Sequence, residues 1–420
     1  MNILILTIGS RGDVQPYAAL GHGLQRAGHP VTICTGALFQ ELVTRHGLAF
    51  APMDDEMIRL ADSTEGRQMI EGGGNPLKAI NLVKPMIRRM LADCRQAAQE
   101  AAPDLIIYHP KTLAGYHIAE ALGVPLILSL LAPLYTPTRE FALPLTAANL
   151  SGFLNRLSYS LVPLLSAPYS SVINEFRQTL GLKARGRIIN EARLPDGRST
   201  PIIYGYSNHV VPRPADWPAA SMAAGYWFLP PDETWQPPDD LTSFLEAGPP
   251  PVYVGFGSMA GTQPERLAAV TVEALQRSGQ RGILATGWGG LRPSDLPESI
   301  FKLESAPHDW LFPRVTAVVH HGGSGTTAAG LRAGKPGLIC PFTADQPFWG
   351  ARVHRLGAGP QPIRQKQLTA ARLADAISAM VESESMRRKA EAIGQALRAE
   401  DSIANARRFI EQTAGWQPPL

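Results

Sequence analysis

The chain has 420 residues, and at roughly 150 residues per domain this length predicts two or three domains. A hydrophobic share of 45% with 18% charged residues excludes intrinsic disorder as the main state. The 39 Lys and Arg residues against 36 Asp and Glu residues leave a net charge of +3 without any run of five like charges, so no nucleic-acid partner is expected.

The cysteines and the N-terminus bear on the cellular compartment of the protein. Cys34, Cys94 and Cys340 are far apart and odd in number, which fits a reducing environment and gives neither a disulfide framework nor a zinc spacing. The N-terminus has no basic region or cleavage site of a secretory signal, and no stretch reaches the roughly 18 apolar residues of a spanning helix. We expect a cytoplasmic protein that is at most peripheral at a membrane.

Strand and helix signals alternate in the first half of the chain. Apolar residues 3–8 predict a strand, a Gly-rich turn follows at 9–13, and a helix is predicted from Pro16 to Ala27 with Gly28 as its C-terminal cap. Later strands are predicted at 31–34, 48–51, 105–108 and 126–130, with helices at 37–46 and 113–122. Alternating βα units predict a parallel, doubly wound sheet.

A proline-rich segment separates this half from a second βα series. Ten of the 37 prolines lie between Pro212 and Pro251, which excludes central strands there. We expect an α/β fold with two Rossmann-like, doubly wound parallel-sheet domains facing a central cleft. The predicted units are an N-terminal domain at 1–230, a Pro-rich linker at 231–250, a C-terminal domain at 251–400, and a C-terminal helix at 401–420 that crosses back to the N-terminal domain.

Elements of the second half bracket the strongest motif. Strands are predicted at 252–256, 282–285, 301–304, 315–319 and 337–340, and helices at 265–278, 328–333 and 369–412. The run HHGGSGTT at 320–327 lies between a strand and a helix, where small residues let backbone N–H groups close on an anion. It has neither the Walker lysine nor the dinucleotide fingerprint. We interpret it as a diphosphate cradle, with a turn placed only for tight packing as the alternative.

Metal binding is not expected at this motif. His320 and His321 are successive strand residues that point to opposite faces, and no third ligand is near them in the sequence.

Other candidates lie at the carboxyl ends of predicted strands. Ser258 in GFGS can hydrogen-bond a phosphate or simply end its strand. Asp13 is a candidate base, because a carboxylate in a partly desolvated cleft can accept a hydroxyl proton; capping of the following helix is the alternative. His109 and Lys111 follow the strand at 105–108 and are candidates for orienting Asp13 or an acceptor.

Six runs together carry a family resemblance. They are GSRGDVQP at 9–16, GFGS at 255–258, TGWGG at 286–290, PHDWLFPRV at 307–315, HHGGSGTTAAGLRAGKP at 320–336 and PFTADQPFWGARV at 341–353. The chain resembles the family 1 nucleotide-sugar glycosyltransferases of GT-B fold, most of all their sterol glucosyltransferase branch. The resemblance covers both halves and is weak between residues 54 and 251.

This resemblance implies an activity and a set of partners. It implies an inverting hexosyltransferase that uses a nucleotide sugar, UDP-glucose by preference, without a metal or other cofactor. The N-terminal domain would bind the acceptor, and the C-terminal domain the donor. Because the segments at 126–135 and 141–169 are mainly Leu, Ala, Pro, Phe and Tyr, we expect a hydrophobic acceptor such as a sterol, terpenoid or lipid; ordinary core packing is the alternative.

The resemblance also implies residue roles. Asp13 matches the catalytic base; apart from the resemblance, Ser10, Arg11 and His109 are candidates for contacting the acceptor or supporting Asp13. On the donor side His320 matches a phosphate contact, Gly323, Ser324, Gly325 and Thr326 match the main-chain diphosphate cradle, Asp345 and Gln346 match the residues that hold the sugar hydroxyls, and Ala306 and His308 lie where relatives touch base and ribose.

Two positions depart from the family pattern. Ser305 replaces a tryptophan that stacks on uracil, so Trp288 or Trp310 is expected to supply the stacking, and Ala328 replaces a glutamate that binds ribose. Separately, the basic amphipathic stretch at 84–95 is favoured as a solvated helix, with contact to a membrane surface as the alternative.

Other functions stay open at this stage. One is transfer from another nucleotide sugar to a macrolide, polyketide or flavonoid. A nucleotide-sugar epimerase is less favoured because of the resemblance. A non-catalytic GT-B partner protein is less favoured because Asp13, His320 and Asp345 are all present. The sequence does not predict an oligomeric state.

Overall fold

Two parallel sheets organise the chain. The computed structural model describes residues 1–56, 59–60, 76–146, 150–257, 264–285 and 296–415. Within these residues the first sheet contains β1 (Ile3–Leu6), β2 (Val31–Gly36), β3 (Ala49–Met53), β4 (Leu105–Tyr108), β5 (Leu126–Leu130), β6 (Ile202–Tyr204) and β7 (Ser221–Ala223), in the order β3-β2-β1-β4-β5-β6-β7.

The second sheet lies in the other half of the chain. Its described strands are β8 (Val252–Gly255), β9 (Gly282–Ala285), β10 (Ile300–Leu303), β11 (Ala317–His320) and β12 (Gly337–Ile339), in the order β10-β9-β8-β11-β12. Every strand pair in both sheets is parallel. The predicted α/β fold with two doubly wound parallel sheets is therefore confirmed.

Helices follow most of the strands. In the first half they are α1 (Arg11–Arg26), α2 (Gln40–Thr44), α3 (Pro76–Ala101), α4 (Gly115–Leu122), α5 (Gly152–Ser158), α6 (Ser170–Thr179) and α7 (Asp239–Glu246). In the second half they are α8 (Pro264–Arg277), α9 (His308–Leu311), α10 (Ser324–Arg332), α11 (Gln346–Arg355), α12 (Ala370–Glu382), α13 (Glu384–Ala399) and α14 (Ser402–Ala414). The Pro-rich segment at 231–250 thus contains a helix, α7, between its proline runs.

The central strands of the first sheet, β1, β4 and β5, are buried on both faces. Leu4 and Leu6 join the cluster under α3, whereas Ile3 and Ile5 join the cluster under α1. Side chains alternate between the two faces of a strand, so a continuous apolar run is what a sheet covered on both sides requires.

Helix α3 corrects one expectation about the basic stretch at 84–95. Its apolar residues Met86, Ile87, Met90 and Leu91 are buried in the core against the first sheet. The apolar face is therefore packed inside the protein and is not available to enter a membrane, whereas Arg88 and Arg89 on the other face are exposed.

The last helix returns to the first domain. Helix α14 packs along α1, where His29 Nε2 and Glu411 Oε1 are 3.1 Å apart. The Ser402 hydroxyl donates to the carbonyl of Tyr226 at 2.6 Å. Helix α14 thus lies on the half of the molecule that contains α1.

Candidate active site

The strand register brings the candidate residues to two sheet edges. In the first sheet Leu6 pairs with Cys34 and with Tyr108, so the segments after β1 and β4 leave the sheet at one edge. In the second sheet His320 pairs with Gly255 and Ile339, which aligns the ends of β8, β11 and β12. Ligands of doubly wound sheets bind at such carboxyl ends.

Asp13 lies in the first turn of α1, at the edge of the first sheet. This helix begins at Arg11 and not at Pro16, since Ser10 caps it: the Ser10 backbone N–H and hydroxyl both donate to Asp13 Oδ2, at 2.9 and 3.1 Å. One carboxylate oxygen of Asp13, Oδ2, therefore takes part in capping α1, which was the alternative role for this residue. The other oxygen, Oδ1, accepts from the Lys111 ammonium at 2.6 Å.

This ion pair lies at the cleft surface. The Asp13 side chain is 23% exposed and that of Lys111 is 54% exposed, so the carboxylate is accessible without being fully solvated. Burial alone would raise the pKa of Asp13, but the Lys111 ammonium and the Ser10 hydrogen bond outweigh it and hold that pKa below its ordinary value. Asp13 is therefore ionised at neutral pH.

His109 supports the same corner. Its Nδ1 accepts from the backbone N–H of Lys111 at 3.1 Å, and its ring lies edge-on to Tyr17. Burial and the neighbouring Lys111 ammonium lower the pKa of His109 to about 3. The imidazole is neutral, with its proton on Nε2. His109 thus shapes the loop that presents Lys111.

The predicted diphosphate cradle is the start of α10. This helix begins at Ser324, four residues before the predicted start, and Gly323 is its N-cap residue. Gly322 has φ +97°, and a Cβ there would lie 2.6 Å from Ile339 Cγ2, so the turn depends on glycine. The N–H groups of the first turn have no partners within a helix, which leaves them directed outward as anion donors.

The cradle also contacts the other domain. The Ser324 hydroxyl donates to the Leu131 carbonyl at 3.1 Å, just beyond β5. Apart from its chain neighbours and the backbone of its own helix, no heavy atom of the described residues lies within 4 Å of the place where a Cβ on Gly325 would sit. The first turn of α10 therefore lies at the domain boundary and is not packed against other described residues at Gly325.

Three neutral histidines surround the cradle. His320 Nδ1 accepts from the Gly322 backbone N–H at 3.1 Å, so Nε2 carries the proton and is a hydrogen-bond donor. Burial lowers the pKa of His320 well below its ordinary value, and that of His321 and of His308 to about 4. His308 stacks on Phe312 with ring centroids 4.3 Å apart.

Asp345 and Gln346 form the third part of the site, at the start of α11. Asp345 Oδ2 accepts from Trp349 Nε1 at 2.8 Å, and the preceding Ala344 has φ +57°. Gln346 Oε1 accepts from the backbone N–H groups of Phe342 and Thr343, at 2.8 and 3.1 Å. The loop after β12 is therefore fixed by its own side chains.

Asp345 is electrostatically linked to the first domain. Burial raises the pKa of Asp345, while the Lys111 ammonium across the cleft acts to lower it. The same two carboxylates, Asp13 and Asp345, both act to raise the pKa of Lys111 against its burial. Lys111 thus lies between the candidate base of one domain and the candidate sugar ligand of the other.

Some of the predicted donor-binding residues have no observed role in the structure. Ser258 and Trp288 lie outside the described residues. Ala306 is half-buried. The ring of Trp310 makes an edge contact with Trp235, and the Arg314 guanidinium lies 4.2 Å from its centroid. The roles in base and ribose contact stay predictions.

Two features were underweighted or missed by the sequence reasoning. Lys111 is a sequence candidate only for orienting Asp13 or an acceptor, and its ion pair with Asp13 was not predicted, although a cation at the end of β4 was the available signal. Glu191 was missed: it is buried, accepts from the Tyr108 hydroxyl at 3.1 Å, and burial raises its pKa to about 7. Its loop is remote in sequence from every motif, so only the fold brings it under β4.

Both halves of the chain match known protein families. Residues 3–138 match the glycosyltransferase family 28 N-terminal domain, and residues 290–411 match the C-terminal domain of the erythromycin biosynthesis protein CIII type. Among solved structures, the calicheamicin glycosyltransferase CalG4 superposes with a TM-score of 0.71 at 20% identity, covering 100% of both chains. The glycosyltransferase VinC, solved in complex with DTDP, gives 0.70 at 21% identity over 99% of this chain and 100% of its own.

Sequence relatives decide the branch. Two sterol 3-beta-glucosyltransferases of Arabidopsis thaliana are each 38% identical to this chain over 97% of its length. The matched regions make up 64% and 67% of the two plant proteins. The chain belongs to the sterol glucosyltransferase branch of the GT-B glycosyltransferases. A sterol 3-beta-glucosyltransferase of Aspergillus terreus is 37% identical over 97% of this chain. The chain spans 29% of that fungal member of the branch, and about two thirds of the plant members.

Membership of this glycosyltransferase branch confirms the resemblance predicted from the six motifs. Across the described residues, no helix is long and apolar enough to cross a membrane. The same part of the chain contains no group of three or more His, Cys, Asp or Glu residues arranged to hold a metal ion.

Proposed function

We propose that this protein transfers glucose from UDP-glucose to the hydroxyl of a sterol or a similar hydrophobic alcohol, with inversion at the anomeric carbon. The observation that carries this proposal is the Asp13–Lys111 pair at the edge of one sheet, next to the helix-start cradle of the other. The sterol 3-beta-glucosyltransferase activity of the plant and fungal relatives supports the sterol acceptor and the glucosyl group.

Asp13 acts as the base in this proposal. Oδ2 is held by Ser10, so the acceptor hydroxyl approaches Oδ1, on the side of Lys111. The carboxylate accepts the hydroxyl proton while the acceptor oxygen forms a bond to the anomeric carbon. The bond from that carbon to the diphosphate oxygen breaks in the same displacement, which inverts the anomeric centre.

The cradle stabilises the leaving group. Negative charge accumulates on the diphosphate as its bond to the sugar breaks. The N–H groups at the start of α10 and the Nε2–H of His320 are donors already in place, so they stabilise this charge without reorganisation. Asp345 Oδ1 and the amide of Gln346 are the groups available to bind hydroxyls of the transferred sugar.

The test combines the reaction with one substitution. The purified chain is incubated with UDP-glucose and a panel of sterols, triterpenoids, flavonoids and macrolides in the presence of EDTA, and products are detected by mass spectrometry. Gain of one hexose on a sterol is expected. Transfer only from a dTDP-sugar, or only to a macrolide or flavonoid, would replace UDP-glucose or the sterol in the proposal.

Asp13→Asn tests the base directly. The amide retains an acceptor for Ser10 but cannot take the proton, so we expect kcat to fall by about 10²- to 10⁴-fold with UDP affinity unchanged. Asp401→Asn is the matched control, since Asp401 also lies at a helix start, where it accepts from the Ala404 backbone N–H. Near-normal turnover of Asp13→Asn would remove Asp13 from this role.

A further inference from the structure

A short surface segment concentrates the exposed apolar side chains of this protein. Among the described residues twelve large hydrophobic side chains are exposed, and eight of them lie between Leu150 and Ile188. Six form what we call the apolar ridge, with exposed fractions of 45–68%: Phe153, Leu154, Leu157, Leu161, Leu164 and Leu165. They recur at spacings of three and four residues along α5 and the 3₁₀ turns at 159–164.

The ridge is held outward by the packing of its inner face. Asn155, Tyr159 and Val162, from the same segment, are buried. The Asn155 amide donates to the Arg139 carbonyl at 2.9 Å and accepts from the Leu150 backbone N–H at 3.0 Å. A helical segment that is apolar on both faces is expected at a buried position, so this exposed outer face is a candidate contact surface.

The composition of the ridge fits a bilayer better than a protein. Hot spots of protein interfaces are enriched in Trp, Tyr and Arg and poor in Leu, whereas five of the six ridge residues are Leu and the sixth is Phe. Leu and Phe on one face of a helix are what helices lying in a membrane interface present to the acyl chains.

The surrounding charge favours anionic lipids. Arg139 and Arg156 are exposed beside the ridge, and the exposed Arg187 adjoins Ile188, another of the exposed apolar residues of this region. Asp216 accepts from Arg156 at 3.4 Å, and the carboxylate of Glu140 accepts from the Ala215 backbone N–H. Three cations against two engaged carboxylates leave a positive rim, and long cationic side chains beside an apolar face reach lipid head groups.

A cavity opens next to the ridge. It has a volume of about 360 Å³ and is lined by Phe153 and Leu157 of the ridge together with Tyr135 and Tyr159. Asn190 and Ala192 also line it, on either side of Glu191, which accepts from Tyr108 at the end of β4. Since His109 and Lys111 follow Tyr108, the Glu191–Tyr108 hydrogen bond connects the segment that lines the cavity to the sheet edge that holds the candidate base.

We propose that the apolar ridge docks this protein on an anionic lipid bilayer, and that the adjoining cavity receives the hydrophobic acceptor from it. The acceptor part of this inference rests on the proposed function. Sterol-like alcohols are dissolved in bilayers and scarcely in water, so an enzyme acting on them gains from a surface that enters the acyl region beside its acceptor cavity.

Vesicle sedimentation tests the docking. The full chain is mixed with phosphatidylcholine vesicles with and without phosphatidylglycerol, and the bound fraction is measured. The test variant is Leu161→Ser/Leu165→Ser, since these residues are 48% and 59% exposed and do not line the cavity. The matched control is Leu38→Ser/Leu122→Ser, with 50% and 48% exposure elsewhere on the surface.

We expect the wild type and the control to bind phosphatidylglycerol vesicles at least tenfold more tightly than the ridge variant. Binding is expected to weaken in high salt, because the basic rim is screened. Equal binding by the ridge variant and the control would overturn the proposal. So would a dimer, measured by light scattering, that the ridge substitutions dissociate, because a second copy would then be the partner.

Turnover separates this inference from the proposed function. With the acceptor delivered by cyclodextrin, the ridge variant is expected to keep wild-type activity; with the acceptor embedded in vesicles, it is expected to lose most of it. Loss in both forms would overturn the docking role. If the wild type is inactive with every acceptor, the proposed function fails, and vesicle binding by itself still decides whether the ridge docks on lipid.

Discussion

A single carboxylate has two kinds of partner at the edge of the first sheet. Ser10 holds Asp13 Oδ2 as part of a helix cap, and Lys111 holds Oδ1 as half of an ion pair. The first contact fixes the position of the carboxylate and the second fixes its charge. We therefore regard Lys111 as a positioning residue, which keeps Asp13 ionised and directed into the cleft.

Substitution of Lys111 tests this view through the pH profile. In Lys111→Met, burial acts on Asp13 without the opposing ammonium, so the pKa of Asp13 rises and the acidic limb of kcat/KM moves to higher pH. At acidic pH we expect kcat/KM to fall about 10- to 100-fold, the range for loss of a hydrogen bond between charged groups. The measurement is kcat/KM against pH for wild type and variant.

Lys111→Arg is the conservative counterpart in that experiment. It retains the positive charge and should keep the acidic limb near that of the wild type, with a smaller loss of rate from altered geometry. A uniform fall of Lys111→Met at all pH values, with the limb in place, would indicate a structural role alone.

At the scale of elements, the sequence predicted most strands and misjudged the starts of two helices. Continuous apolar runs fix strands such as β1 and β4, because both faces of a parallel sheet are buried. Helices α1 and α10 begin four or five residues before their apolar periodicity, at Arg11 and Ser324. These starts are set by the N-cap residues, Ser10 and Gly323, and by the ability of the residues that follow to adopt helical backbone angles without steric conflict. Neither factor contributes to hydrophobic periodicity.

These early starts matter for the site as well. Asp13 and the Ser324–Thr326 amides lie in first helical turns, which the periodicity assigned to loops. Motifs identified these residues, but partners such as Lys111 come from distant segments. The Asp13–Lys111 contact spans 98 positions, and a single sequence has no local signal for such pairs.

The turn between β11 and α10 gives a prediction at this scale. In Gly322→Ala the alanine would have to keep an unfavourable positive φ, and its Cβ would lie 2.6 Å from Ile339 Cγ2. The turn must therefore shift and displace the first amides of α10. We expect UDP affinity to weaken by about tenfold or more, which corresponds to about 1.4 kcal/mol. Calorimetric titration with UDP measures it.

Gly330→Ala is the control within the same helix. A Cβ there would lie 3.9 Å from Val318, in ordinary contact, and alanine in a helix interior stabilises by about 0.5–1 kcal/mol relative to glycine. UDP affinity should be unchanged in this variant. If Gly322→Ala bound UDP as tightly as Gly330→Ala does, the turn would not determine the cradle.

At the scale of the whole molecule, the two halves are connected by more than the cleft. Helix α13 packs on α10 of the second half, and α14, two residues further on, packs on α1 of the first. Phe141 and Phe348 meet from opposite halves with ring centroids 5.4 Å apart. Because α1 carries Asp13 and α10 carries the cradle, the C-terminal helices tie together the two elements on which the proposed chemistry depends.

The α1–α14 contact is close enough for one methyl group to test it. A Cβ on Gly23 would lie 2.3 Å from Ile403 Cγ2, so Gly23→Ala must push α14 away from α1. Overpacking of this kind costs about 1–3 kcal/mol, and we expect a lower urea midpoint for unfolding. Ile403→Ala removes the conflicting atoms, so Gly23→Ala should cost little in that background, and a double-mutant cycle should give a coupling energy of at least about 1 kcal/mol. Additive effects of the two substitutions would mean that α14 does not pack on α1 in solution.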